Sequence, residues 1–202
     1  MATPQAPARV VSSGGLADAL TALTRALDEL GSPSAIIGGV AVIANGVPRA
    51  TIDIDATVSA RAVEPERLAD VLARHDIVPR MENAVEFARS KHVFLAEHRP
   101  SRVAVDVSLA WLPFEEEAIA AAATCDFAGV RIRVPRPEDL VIYKMVAARP
   151  RDLDDVANLL LVHGRAMDLR RVRTVVADFA AALEDTERPA ALERLLREAG
   201  LA

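Results

Sequence analysis

The sequence is short of most devices by which small proteins are held together from outside the core. It has one cysteine, Cys125, in 202 residues, which excludes a disulfide framework and suits a reducing compartment; a cytoplasmic protein is expected. Its four histidines, His75, His92, His98 and His163, lack the spacing of a zinc site. Aromatic residues make up 3% of the chain, so no platform of rings for stacking exposed bases is evident. No apolar run approaches the ~20 residues of a membrane helix, and "MATPQAPARVVSSGG" lacks the apolar segment of a signal peptide. No membrane partner is expected. Lysine is nearly absent as well: Lys91 and Lys144 stand against twenty-two arginines. The net charge of -5 argues against a non-specific coat on nucleic acid or an acidic membrane.

What is present is a chain that is 51% hydrophobic and 26% charged, enough to bury a core as one domain with a helical extension. A disordered tail is expected over 1–14, an α/β core over 15–135 and a helical region over 136–202. "LADALTALTRALDEL" has apolar residues at helical spacing and stops at Gly31, a natural helix end. "SAIIGG" reads as a short buried strand, "VAVIAN" as a short helix, and "TIDIDATVS" as an alternating strand. A helix at "EPERLADVLARHD" and strands at "HVFLAEH" and "RVAVDVSLAW" follow. Then come a helix at "FEEEAIAAAA", a hairpin at "CDFAGVRIRVP" turning at Ala128 and Gly129, and four helices from Pro137 onward. The fold class this predicts is α/β (α+β), a mixed β-sheet flanked by helices.

Chemistry concentrates in one stretch, "IIGGVAVIANGVPRATIDIDATVS". Side chains alternate across a strand, so Asp53 and Asp55 point one way while Ile52, Ile54 and Ala56 point the other. Two carboxylates held that close raise a pKa or recruit a hard cation; the alternative is that both face water. Gly38 and Gly39 end one strand and open a helix, where free N–H groups favour phosphate, or else serve only as a tight turn. Together the two features describe a nucleoside triphosphate with its magnesium. Arg49, just before the strand, adds a charge to the phosphate site or solvates a loop.

Gly38-Gly39, a thirteen-residue spacer and Asp53-Ile-Asp55 resemble the signature of the DNA polymerase β-type nucleotidyltransferase superfamily. The context is most similar to small bacterial members, among them AbiEii-like toxins of abortive-infection and toxin–antitoxin systems. The resemblance implies a third carboxylate on a later strand, which "RVAVDVSLA" supplies as Asp106, and a nucleotidyltransferase fold. It implies two Mg2+ ions held by Asp53, Asp55 and Asp106, with an NTP as co-substrate. It also implies a lysine on a later helix, matched by Lys144, and a following aspartate, matched by Asp152, both at the nucleotide. With so little lysine in the chain, an ammonium at position 144 points to a specific role, although a lysine snorkelling past an apolar stripe reads equally from the pattern. Asp106 would help deprotonate the acceptor hydroxyl, and Gly38, Gly39 and Lys144 would neutralise the departing pyrophosphate. Many members carry serine where this chain has Gly39, so only backbone contact is expected there.

Two other readings compete. "DIDAT" also fits the D-x-D-x-T of haloacid-dehalogenase-type phosphatases, but there the first aspartate follows a continuous apolar strand, whereas "GVPRAT" reads as a loop. A non-catalytic nucleotide-binding protein, or a partner in a toxin–antitoxin pair with an antitoxin protein, is the other. The acceptor stays open among a tRNA end, a protein hydroxyl and a small molecule. "RIRVPR" and "RAMDLRRVR" offer arginines for RNA phosphates or merely solvated helix faces.

Overall fold

The computed structural model describes residues 13–201. The tail expected over 1–14 falls outside that range up to residue 12, and helix α1 (Ser13–Leu30) already begins inside it. Strands β1 (Ser34–Ile37), β2 (Asp53–Ser59), β3 (Ile77–Pro79), β4 (Val93–His98) and β5 (Val103–Ala110) form one mixed sheet in the order β1-β2-β5-β4-β3. Only β2 and β5 run parallel, which puts a crossover between them; the other neighbours are antiparallel. That crossover holds α3 (Pro65–Arg74) and α4 (Ala84–Lys91).

Alternation sorts the sheet into two faces. Ile54, Ala56 and Val58, Val103, Val105 and Val107, and Phe94 and Ala96 are all fully buried and share the face covered by α1, α3 and α4. The opposite face carries Asp53, Asp55, Thr57 and Ser59 on β2, with Ala104, Asp106 and Ser108 beside them in register on β5. Ile52 departs from the expected pattern. It precedes β2 and is 59% exposed, so it belongs to the loop instead of the core face.

Helix α2 (Gly38–Ala44) packs on β1 and β2, and α5 (Pro113–Ala121) on β2. The hairpin β6 (Ala123–Phe127) and β7 (Val130–Val134) turns at Ala128 and Gly129 as expected. Both turn residues have positive φ, at 51° and 81°, the backbone of a type I′ turn, for which alanine is poorly suited. Ala128→Gly is therefore expected to raise stability by about 0.5–1 kcal/mol in a denaturant melt.

Helices α6 (Pro137–Ala147), α7 (Pro150–His163), α8 (Leu169–Ala182) and α9 (Glu187–Glu198) supply the four expected helices. Leu140, Val141, Ile142, Leu159 and Leu196 belong to the same buried cluster as the sheet residues. The helical region thus shares the core of the α/β part. The arginines proposed from sequence for RNA are largely committed within the chain. Arg133 donates to the carbonyls of Ser34, Ile119 and Ala122, Arg136 and Arg171 pair with the buried Asp139, and Arg173 pairs with Glu193.

Candidate active site

The parallel register of β2 and β5 sets Asp55 directly beside Asp106, while the strand's own pleat puts Asp53 on the same face two residues earlier. The third neighbour is the first glycine. Gly38 has a φ of +62°, and a Cβ built on it would lie 1.9 Å from Asp55 Oδ2. Glycine is required there twice over, for the left-handed backbone and for the close approach of the carboxylate. Gly38→Ala is accordingly expected to cost about 1–2 kcal/mol from the backbone conformation alone. It also displaces the Asp55 carboxylate, and a lowered melting temperature checks it.

Gly39 faces Thr51. A Cβ at 39 would meet Thr51 Oγ1 at 2.4 Å and Arg49 Cζ at 3.2 Å, and Thr51 Oγ1 donates to Asp53 Oδ1 at 2.9 Å. Gly39 itself offers only its backbone; a hydroxyl stands beside it on Thr51, in the loop before β2, and is engaged with Asp53.

Three negative groups on one face have an electrostatic consequence. Burial, the Asp53 charge and the Asp106 charge, in that order, push the Asp55 carboxyl up to about 6, against the opposing pull of Lys144 and Arg149. Asp106 is also raised, first by burial and further by Asp53, although the Arg80 guanidinium pulls it back. Arg80 forms an ion pair with Asp106.

On the other side stands a wall of cations. Lys144, 7% exposed, sits between two carboxylates, 3.1 Å from Asp152 Oδ1 and 2.9 Å from Asp155 Oδ2. Arg49 pairs with Asp155, Arg149 Nε lies 2.7 Å from Asp152 Oδ2, and Arg151 donates to the Ala50 carbonyl. Burial alone would raise the Asp152 carboxyl, but hydrogen bonds from Arg149 and Lys144 outweigh it and hold it below the usual range. Asp152 also caps α7 by accepting from the Arg149 backbone N–H at 3.2 Å. The Arg149 guanidinium is held more basic than usual by its hydrogen bond to Asp152 and by the charges of Asp152, Asp55 and Asp53. It therefore connects the wall to the carboxylate group.

Of the residues singled out from sequence, Asp53, Asp55, Asp106 and Gly38 come together on the open sheet face. Gly39 and Arg49 lie beside them at the start of α2. Lys144 and Asp152 sit behind, each satisfied by partners within the chain. Sequence reasoning did not reach Arg80, Thr51 or Arg149, and from the pattern Asp155 reads only as one of the acidic residues that open a helix. Asp155 was within reach, since it follows Asp152 by three residues and so shares a helix face with it.

The oxygen donors of Asp53, Asp55 and Asp106, and the unfavourable charge that raises Asp55, suit a hard divalent cation. They are not drawn into a ready-made cage. Among the described residues no group of three His, Cys, Asp or Glu side chains is placed to hold an ion, and Asp106 turns to Arg80 as Asp53 does to Thr51.

A mixed sheet flanked by helices, with an aspartate pair opening one strand and a third aspartate beside it on the parallel neighbour, is a nucleotidyltransferase fold. Residues 16–195 match the family described as "Nucleotidyltransferase of unknown function (DUF6036)", and the chain belongs to that family. No curated protein sequence matches it. Among solved structures it is similar to the antibiotic-resistance factor ANT(2'')-Ia in solution, with a TM-score of 0.58 at 20% identity over 91% of this chain and 98% of that one. It is similar also to the crystal structure of ANT(2'')-Ia in complex with adenylyl-2''-tobramycin, with a TM-score of 0.54 at 18% identity over 85% and 99%. An antigenic nucleotidyltransferase-like protein from Paracoccidioides brasiliensis gives 0.52 at 16% identity over 91% and 94%. Such identities speak for the shared fold. The phosphatase alternative fails on the fold, because Asp53 opens β2 and no strand runs into it. No helix among the described residues is long and apolar enough to cross a membrane.

Proposed function

We propose that the protein transfers a nucleoside monophosphate from an NTP to a hydroxyl acceptor, with Mg2+ as cofactor. The observation that carries this reading is the position of Asp55. It stands between two further carboxylates on one sheet face, with the Gly38 backbone against it and the Arg149–Lys144 cations on its far side. Asp53 and Asp55 would hold the divalent ion, which neutralises phosphate charge during in-line displacement. Asp106 receives the proton of the acceptor hydroxyl. The backbone at Gly38 and Gly39, with Arg49 and Arg149, opposes the charge of the leaving pyrophosphate. Lys144 acts on the same charge from behind, and Asp152 positions Lys144 and Arg149.

For the acceptor we favour a small molecule. ANT(2'')-Ia carries adenylyl-2''-tobramycin in its crystal complex, and the pairing of Arg133, Arg136, Arg171 and Arg173 within this chain speaks against a basic face for RNA. The test is to incubate the protein with each labelled NTP, Mg2+ and a cell extract, and to separate small molecules, RNA and protein. Label among small molecules supports the reading. Label on tRNA or on a protein moves the assignment to the toxin type, with an antitoxin as the expected partner. Label that persists with Asp53→Ala overturns nucleotidyl transfer. A complete lack of label with every NTP leaves a non-catalytic nucleotide-binding module.

A further inference from the structure

Arg80 is not a loosely placed surface arginine. It follows β3, and its backbone N–H donates to the Leu95 carbonyl at 3.0 Å, one step beyond the last pair of the β3–β4 ladder. Leu95 is in turn the direct neighbour of Asp106 across the β4–β5 pair. The main chain therefore fixes Arg80 beside the strand position that faces Asp106, and the side chain crosses β4 to reach that carboxylate. Among the described residues, no comparable cation is bound to Asp53 or Asp55. Asp53 accepts from a neutral hydroxyl, and the cations that act on Asp55, Lys144 and Arg149, are paired with Asp152.

Counting charges on the open face gives a simple balance. One divalent ion and one guanidinium neutralise three carboxylates. A second divalent ion at Asp106 would first have to break the Arg80–Asp106 ion pair, and the expelled guanidinium, still held nearby by its backbone bond to Leu95, would repel it across solvent that screens part of the charge.

We propose that Arg80 is the resident counter-cation of Asp106, so that the site takes up a single divalent ion, at Asp53 and Asp55. This rests on the nucleotidyl-transfer reading and differs from the two ions that the sequence resemblance implies. In this arrangement Arg80 is a positioning residue: it holds the Asp106 carboxylate toward the acceptor side and supplies the positive charge that a second ion would otherwise bring.

The test is the number of Mn2+ ions bound per chain, measured without nucleotide by the loss of the free-ion electron paramagnetic resonance signal during titration. Wild type is expected to bind one, and Arg80→Lys, which keeps the charge, one as well. Arg80→Gln is expected to bind two, and the second ion to vanish in Arg80→Gln with Asp106→Asn. Arg80 is partly exposed, so its truncation empties no part of the core. Two ions on wild type with one lost in Asp106→Asn, or one ion only on Arg80→Gln, would overturn the assignment of Arg80. Failure of the underlying reading looks different. In that case wild type binds no Mn2+, or binds it equally well when Asp53 and Asp55 are both replaced by asparagine.

Discussion

Asp55→Asn is expected to stabilise the protein at pH 8 while reducing nucleotidyl transfer about a hundred- to a thousandfold, on the scale of losing a central electrostatic group. The two effects have one cause. In the folded protein the Asp55 carboxyl titrates at about 6, against 3.8 when unperturbed, so between those values the folded state binds more protons than the unfolded chain. Stability then falls as pH rises through that window, and above it the full cost of the buried carboxylate is present. At 1.36 kcal/mol per pKa unit the cost is about 3 kcal/mol. Asparagine has the shape of the carboxyl but does not ionise. It is expected to recover about 1–3 kcal/mol at pH 8, or roughly 2–12 °C in melting temperature for a chain of this length, and almost nothing at pH 4. Addition of Mg2+ at pH 8 is expected to raise the melting temperature of wild type and to leave that of the variant unchanged, because only the carboxylate gains from a cation. An Asp55→Asn protein that melts below wild type at pH 8 in chelator would show that the carboxylate is already satisfied by groups within the chain.

The carboxylates could be read from sequence because strand alternation is a local rule. It fixes the face of Asp53 relative to Asp55, and of Asp106 relative to Val105 and Val107, without knowledge of strand order. The hairpin at Ala128 and Gly129 and the four helices after Pro137 were legible for the same reason. Strand β3 and helix α4 were not, since three residues ending in Pro79 and an eight-residue helix entered through a left-handed Asn83 carry too little periodicity. Arg80 was hidden with them. Its meaning depends on β3 pairing with β4 and on β4 lying against β5, an order that no local pattern specifies. Thr51 illustrates a second limit. A missing hydroxyl at Gly39 looks like a loss in the sequence, yet the loop before β2 brings a hydroxyl to the same place.

Lys144 is tied into the fold more firmly than the pattern alone indicates, and its removal is expected to carry a large cost in stability. It is the only lysine among the buried residues, and its ammonium sits between Asp152 and Asp155, both almost fully enclosed. Deleting one member of such a group leaves buried charge uncompensated, which costs 3–5 kcal/mol for an isolated pair. Here Asp152 keeps Arg149 and Asp155 keeps Arg49, so Lys144→Met is expected near the lower end, about 3 kcal/mol, or roughly 6–12 °C in melting temperature. Asp155→Asn added to Lys144→Met removes one of the stranded charges and is expected to recover about 1–2 kcal/mol, a coupling that a double-mutant cycle measures directly. Loss of Lys144 also withdraws a charge that holds the Asp55 carboxyl down. Asp55 must then titrate higher still, so the fall of stability with pH extends further above pH 6 in Lys144→Met than in wild type. A lysine that served only to fill an apolar stripe would leave that pH profile where it was.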